Sequence, residues 1–235
     1  MTEPPESASP EPAPHHLGHR QRLRDRFLAV GGEKMPDYEL LELVLMLAIP
    51  RTDVKPLAKD LIRQFGSFAG VISADPAALA RVKGVKETTV AALKVIEAAA
   101  VRLARAEVSE KPLIGSWNAL LDYCRTSMAR GSVEQFRILF LDRKNRLIAD
   151  EVQQTGTVDH TPVYPREILK RALEHGASAL ILVHNHPSGD PTPSRADIDI
   201  TREVQKAAQA LGVQVHDHLI IGRSGHTSFK SQGLL

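Results

Sequence analysis

A single cysteine, Cys124, excludes an intramolecular disulfide and a multi-cysteine zinc site in this chain of 235 residues. Any metal must rest on histidine and carboxylate, which gives the ten histidines unusual weight. Long apolar runs are missing too. The stretch over residues 40–49 is interrupted by Glu42 and falls well short of the roughly 20 residues a membrane helix needs. The first residues are Pro, Glu and Ser rather than a basic start leading into an apolar run, so no signal peptide is visible and the expected location is cytoplasmic, away from membranes. Charge of one sign is likewise lacking overall, at a formal +2. The distribution is uneven, however. Residues 19–106 hold 15 Lys and Arg against 10 Asp and Glu, whereas residues 107–235 hold 15 of each. A surplus of this kind fits either a solvated basic surface or contact with a phosphate backbone.

The length accommodates two small domains, each with its own core. Residues 1–18 contain five prolines and almost no large apolar side chains, too little burial to offset ordering entropy, and are expected to form a disordered tail. From His19 the apolar residues recur at helical spacing: Leu23, Phe27 and Leu28, then Leu40, Leu41, Val44 and Leu45, then Leu57, Ala58, Leu61, Ile62 and Phe65. Further helices are expected over 76–81 and 86–106, so residues 19–106 read as a small all-α domain. Residues 107–111, with Ser, Glu and Lys ahead of Pro112, read as a linker.

The remainder, 112–235, changes character. Residues 136–141 and 147–152 have strand composition around a turn at 142–146, and 179–183 is an uninterrupted apolar run ending in His184. Helices are expected over 165–175, opened by a proline, and over 195–211. Residues 213–215 and 219–221 complete the strand set. The fold class is therefore α/β, a mixed sheet with flanking helices, preceded by the smaller all-α domain.

His184-Asn185-His186 carries the chemistry. Residues two apart on a strand point to the same face, so both imidazoles can turn toward one metal. Asp197 follows eleven residues after His186, in the first turn of the next helix. Three protein ligands with an open fourth position are the arrangement of a catalytic rather than a structural zinc. Zinc lowers the pKa of a water in that position to about 7, and a nearby carboxylate can take its proton during attack on a carbonyl. Taken singly, each residue has a structural reading as well: a strand-end histidine in solvent, an Asp at a helix dipole, and Ser194 as an N-cap whose partner is Asp197.

The run His184-Asn-His186-Pro-Ser-Gly-Asp-Pro-Thr-Pro-Ser194-Arg-Ala-Asp197 resembles the JAMM (MPN-plus) metalloprotease signature in every position. Together with Asp217-His218 and Val163-Tyr-Pro-Arg-Glu-Ile168, it resembles the RadC family of bacterial proteins, and the likeness covers nearly everything after His19. That resemblance implies a cytidine deaminase-like sheet and zinc held by His184, His186 and Asp197. It also implies that Ser194 helps to stabilise the oxyanion. The catalytic Glu of that superfamily comes from an early strand, which points to Glu134, with Glu151, Glu167 and Glu174 as competitors. Asp217 and His218 are either partners to a ligand imidazole or a buried structural pair. The implied activity is hydrolysis of a peptide or isopeptide bond in a protein or peptide substrate.

Within the helical domain, residues 79–93 resemble a helix-hairpin-helix element, which presents backbone N–H groups to a DNA phosphate. Lys86 stands where that motif has its second glycine. DNA binding through this domain is the alternative functional expectation, in keeping with the DNA-repair association of the family name, and a plain tight turn explains Gly84 equally well. A phosphodiester-cleaving site is the weaker option, since a single three-ligand centre lacks the extra carboxylates of a two-metal site. No residue pattern specifies an oligomeric state.

Overall fold

Helical spacing in the first third of the chain produces α1 (His19–Val30), a 3-10 turn (Gly32–Lys34), α2 (Asp37–Ala48), α3 (Lys55–Phe65), α4 (Phe68–Ile72), α5 (Pro76–Ala80) and α6 (Glu87–Glu110). The computed structural model describes residues 18–110, 117–156 and 163–235. Apart from Gly18, the tail expected over 1–18 lies outside them. Two compact units divide between Lys94 and Val95, within α6.

In the first unit, Leu23, Leu41, Leu45, Ala58 and Leu61 are the buried residues among those that the spacing singles out, and Leu79 and Leu93 are buried with them. Local chemistry sets the helix ends. Ser67 accepts from the Gly70 N–H at the start of α4, and Asp75 accepts from Ala77 and Ala78 ahead of Pro76 in α5. Arg20 donates to the carbonyls of Met46 (3.1 Å), Ile49 (2.7 Å) and Thr52 (2.6 Å), satisfying acceptors that the end of α2 leaves open. Between α5 and α6, Gly84 adopts φ +94°, a conformation that favours glycine, and Lys83 and Lys86 are exposed beside it.

One expectation is corrected here. Residues 107–110 are not a linker but the last turn of α6. Val108 explains the difference: it is fully buried against Leu120, Tyr123 and Cys124, so packing carries the helix through a polar stretch that composition alone would break. Residue 111 lies outside the described residues.

The second unit is built on a five-stranded mixed sheet, in the order β2-β1-β3-β4-β5. Its elements after α6 are α7 (Trp117–Met128), β1 (Gln135–Leu141), β2 (Leu147–Thr155), α8 (Pro165–Glu174), β3 (Ala179–Asn185), α9 (Arg195–Ala210), β4 (Gln214–Ile221) and β5 (His226–Ser228). Strand β1 is antiparallel to β2 and β3, while β3 and β4 are parallel, with α9 as the crossover such a pair requires. The continuous apolar run of β3 is buried on both faces. Ile181 and Val183 pack with Leu120, Leu121 and Met128 of α7, and Leu180 and Leu182 pack with Ile168 and Leu169 of α8 and Val204 of α9. Each fully buried Leu contributes roughly 1.5–3 kcal/mol.

Strand β4 is one continuous strand rather than the two pieces expected at 213–215 and 219–221. Its pairing with β3 slips by one residue, Leu180 meeting Val215 and Ile181 meeting Asp217. One inserted residue reverses which face every later side chain occupies. Thus Val215 faces α8 and α9, Leu219 and Ile221 face α7, and His218 is left on the side of His184. Alternation across the irregularity fails in the sequence for this reason.

Candidate metal centre

His184, at the end of β3, and His186, one residue beyond it, bring their Nε2 atoms to 3.0 Å from each other. His184 is fully buried and His186 is partly open. Asp197 reaches them from the first turn of α9, its Oδ1 lying 3.3 Å from His184 Nε2 and its Oδ2 3.9 Å from His186 Nε2. The chain between folds back sharply to achieve this. The His186 N–H donates to Ile221 O at 3.0 Å, and the Gly189 N–H donates to His186 O at 2.9 Å with Gly189 at φ +93°. Gly222 accommodates the fold-back, since a Cβ there would lie 2.4 Å from Gly189 O.

Ser194 and Asp197 form a reciprocal capping box. The Asp197 N–H donates to Ser194 Oγ at 3.2 Å, and the Ser194 N–H donates to Asp197 Oδ2 at 2.7 Å. The structural reading of this pair and a ligand role for Asp197 are compatible. The backbone fixes one carboxylate oxygen, and the other faces His184.

The tautomers of both imidazoles follow from their partners. Thr201 Oγ1 donates to the Asp197 carbonyl at 2.5 Å, which uses its only proton, so it must accept from His218 Nδ1–H at 2.6 Å. A neutral His218 then offers its Nε2 lone pair, and His184 Nδ1–H donates to it at 2.9 Å. His186 Nδ1 lies 2.7 Å from the carbonyl of Asp190, which can only accept. In the neutral rings both Nε2 atoms carry lone pairs, aimed at one point alongside a carboxylate oxygen. Two bare lone pairs at 3.0 Å repel, and a cation between them removes the repulsion. Tetrahedral zinc with bonds near 2.0–2.1 Å separates its ligand atoms by about 3.3 Å, close to the spacings here. The donor set fits a divalent metal.

Burial supports the neutral forms of His184 and His218. It pushes His184 down to about 4, with Asp197 opposing and His186 adding to the shift. His218 lies well below its usual range for the same reason, reinforced by His184 and His186. Phe136 stacks on His184, and Phe229 lies against His218.

Glu134 sits one residue before β1. Its carboxylate lies within 4.8 Å of the ligand nitrogens of both His184 and His186, a grouping of three found among the described residues. The competing carboxylates are engaged elsewhere. Glu151 is bound by Arg171 and His175, Glu174 by Arg171, and Glu167 by Arg166. A cavity of about 380 Å³ opens beside Glu134 and Asp197, walled by Phe136, Val163 and Ile200.

The two residues expected as partners to a ligand imidazole separate. His218 holds His184, but Asp217 points to the opposite face, where it accepts from Ser228 Oγ (2.5 Å), the His218 N–H (2.7 Å) and the Lys230 N–H (3.0 Å). Thr201 is the residue that sequence reasoning misses. It lies one helical turn after Asp197, an i+4 spacing that puts it on the same face of α9.

Comparison with known proteins comes to the same region. Residues 114–234 match the family model described as the RadC-like JAB domain, and residues 15–91 match the UPF0758 N-terminal family. A UPF0758 protein of Rhodobacter capsulatus is 63% identical over 213 residues, covering 91% of this chain and 100% of that relative. A UPF0758 protein of Ruegeria pomeroyi is 60% identical over 217 residues, covering 92% and 97%.

Proposed function

The chain belongs to the RadC family, and from that membership and the geometry of His184, His186, Asp197 and Glu134 we propose that it is a zinc-dependent hydrolase of the JAMM type, acting on a peptide or isopeptide bond. The observation that carries the reading is the convergence of two imidazole Nε2 atoms and a carboxylate oxygen, with a second carboxylate held just outside them.

His184, His186 and Asp197 hold the metal. Bound there, zinc supplies Lewis acidity toward water and the scissile carbonyl. Glu134 takes a proton from the attacking water and delivers it to the leaving amine. Ser194 Oγ already accepts from Asp197, which leaves its hydroxyl proton for the oxygen on which negative charge develops. The cavity beside Glu134, with apolar walls, receives the substrate chain.

Elemental analysis of the untagged protein tests the metal reading. Wild type is expected to carry about one zinc per chain, in line with one three-ligand site, and His186→Ala to lose it. Absence of metal from wild type after zinc addition overturns the reading.

A second reading rests on the exposed Lys83 and Lys86 at the Gly84 turn and on the basic surplus of residues 19–106. In it, the helical unit binds DNA, either to deliver the hydrolase to its targets or as the protein's main task, with the metal domain as scaffold. Among the described residues no helix is long and apolar enough to cross a membrane.

A further inference from the structure

Between the two histidines of the centre stands Asn185, which alternation along the strand turns to the opposite face from both imidazoles. It is 1% exposed. Its carboxamide bridges two backbone groups of the chain entering β1. Oδ1 accepts from the Gln135 N–H at 2.9 Å, and Nδ2 donates to Val133 O at 3.2 Å. The orientation of the amide is dictated by chemistry, since a backbone N–H can only donate and a carbonyl only accept. The residue flanked by those two bonds is Glu134. Its own carbonyl accepts from the Gly156 N–H at 2.9 Å, so its backbone is held from three sides.

The pairing of β1 with β3 covers Phe136 opposite His184 through Leu141 opposite Ala179 and stops there. Beyond Phe136, the side chain of Asn185 replaces the strand ladder as the link between the two segments. Gly131 makes room for it: a Cβ at that position would lie 3.2 Å from Asn185 Nδ2.

We infer that Asn185 is a positioning residue that fixes Glu134 against the His184–His186 pair, so that one residue of β3 sets the distance between the metal ligands and the proton-transferring carboxylate. This rests on the proposed hydrolase reading for the task of Glu134. The linkage has a simple logic. His184, Asn185 and His186 are consecutive, so any shift of the strand end moves ligands and base together.

The test uses the full chain loaded with cobalt(II), whose visible spectrum reports on groups around the metal, in Asn185→Ala, Gly131→Ala, Glu134→Gln and the Asn185→Ala/Glu134→Gln double variant. Asn185→Ala is expected to keep metal affinity well short of the roughly 10- to 100-fold loss that follows removal of a partner to a ligand. Its spectrum and pH profile are expected to move as they do in Glu134→Gln, and the double variant to match Glu134→Gln alone. Gly131→Ala, which presses on the amide without removing it, is expected to move them the same way by less, and it serves if Asn185→Ala does not fold. A wild-type spectrum in both variants, or an additional change in the double variant, overturns the inference. Failure of wild type to take up cobalt counts against the metal reading instead. The metal-free crystal structure of Asn185→Ala, or of Gly131→Ala if the former does not fold, then decides. A Glu134 carboxylate still within 4.8 Å of both imidazole nitrogens overturns the role of Asn185, and displacement beyond that supports it.

Discussion

Replacing Thr201 by valine keeps the volume of the side chain and removes one hydroxyl, far from solvent and out of reach of any substrate. The hydrogen-bond chain from Asp197 O through Thr201 and His218 to His184 then loses its origin. His218 Nδ1–H is left buried without an acceptor, which costs about 1–3 kcal/mol. His218 can relieve this by moving its proton to Nε2, but that proton then meets His184 Nδ1–H at 2.9 Å. His184 must in turn protonate Nε2, the atom aimed at Asp197 and His186. Either the fold bears the unsatisfied donor or the ligand nitrogen is lost. Removal of a partner to a metal-ligating histidine typically lowers affinity 10- to 100-fold, about 1.4–2.7 kcal/mol, and Thr201→Val is expected in that range although it touches no ligand side chain. Competition with a chelator measures the affinity, and nitrogen-15 spectra of the imidazoles read the tautomers directly. Zinc affinity within about threefold of wild type, well inside that range, with His184 still protonated on Nδ1 refutes the relay.

Glu134→Gln should leave zinc content intact and lower turnover roughly 100- to 10,000-fold, the usual contribution of a positioned general base; unchanged turnover removes Glu134 from the chemistry. The Arg171 guanidinium, aided by His175, holds the Glu151 carboxyl down to about 2 against an ordinary value of 4.5. A depressed folded-state pKa contributes stability that is present above the unfolded value and lost as pH falls, here between about 4.5 and 2. Arg171 is partly exposed, so solvent screening reduces the contribution to about 1 kcal/mol, and Glu151→Gln should flatten the acid limb of the stability curve by that amount. If the helical unit binds DNA, affinity should fall steeply with salt, and Lys83→Glu/Lys86→Glu should abolish it; binding indifferent to both removes that reading.

The parts legible in the sequence are those where a local rule and the tertiary environment agree. Helical spacing places Leu41, Leu45, Ala58 and Leu61 in the core of the first unit, and the apolar run of 179–183 becomes the central strand β3. Sequence reading goes wrong where one long-range fact overrides local composition. Val108 extends α6 through a polar stretch because it is buried in the apolar cluster it shares with α7. The irregularity after Val215 reverses the faces of β4, so His218 rather than Asp217 comes to the side of His184, and simple alternation sends Asp217 to the other face. At the site, the spacing brings His184, His186, Ser194 and Asp197 together, yet the two residues that orient the others, Thr201 and Asn185, carry no chemistry that a motif would record. Their value lies in which backbone or imidazole atom they meet, and only the folded chain shows that.

Ser194 remains the residue with two assignments to separate, since its oxygen caps α9 and its proton is the one proposed for the developing oxyanion. The cap uses a lone pair of the hydroxyl oxygen and the oxyanion role uses its single proton, so substitutions can divide them. Alanine removes both and is expected to cost about 0.5–2 kcal/mol of stability as well as turnover. Threonine keeps acceptor and donor and should retain both properties. Aspartate keeps an acceptor for the Asp197 N–H, so α9 stays capped and thermal stability stays near wild type, but it offers no proton and places a negative charge where charge develops. Loss of a single donor to an oxyanion lowers kcat by roughly 100- to 1,000-fold, and Ser194→Asp should lose at least as much as Ser194→Ala despite its better fold. Thermal unfolding, zinc affinity and turnover measured on the same three variants decide the matter. If turnover follows stability across the series, with Ser194→Asp as active as wild type, then Ser194 is a helix cap alone and the stabilising donor must come from another group in the cleft.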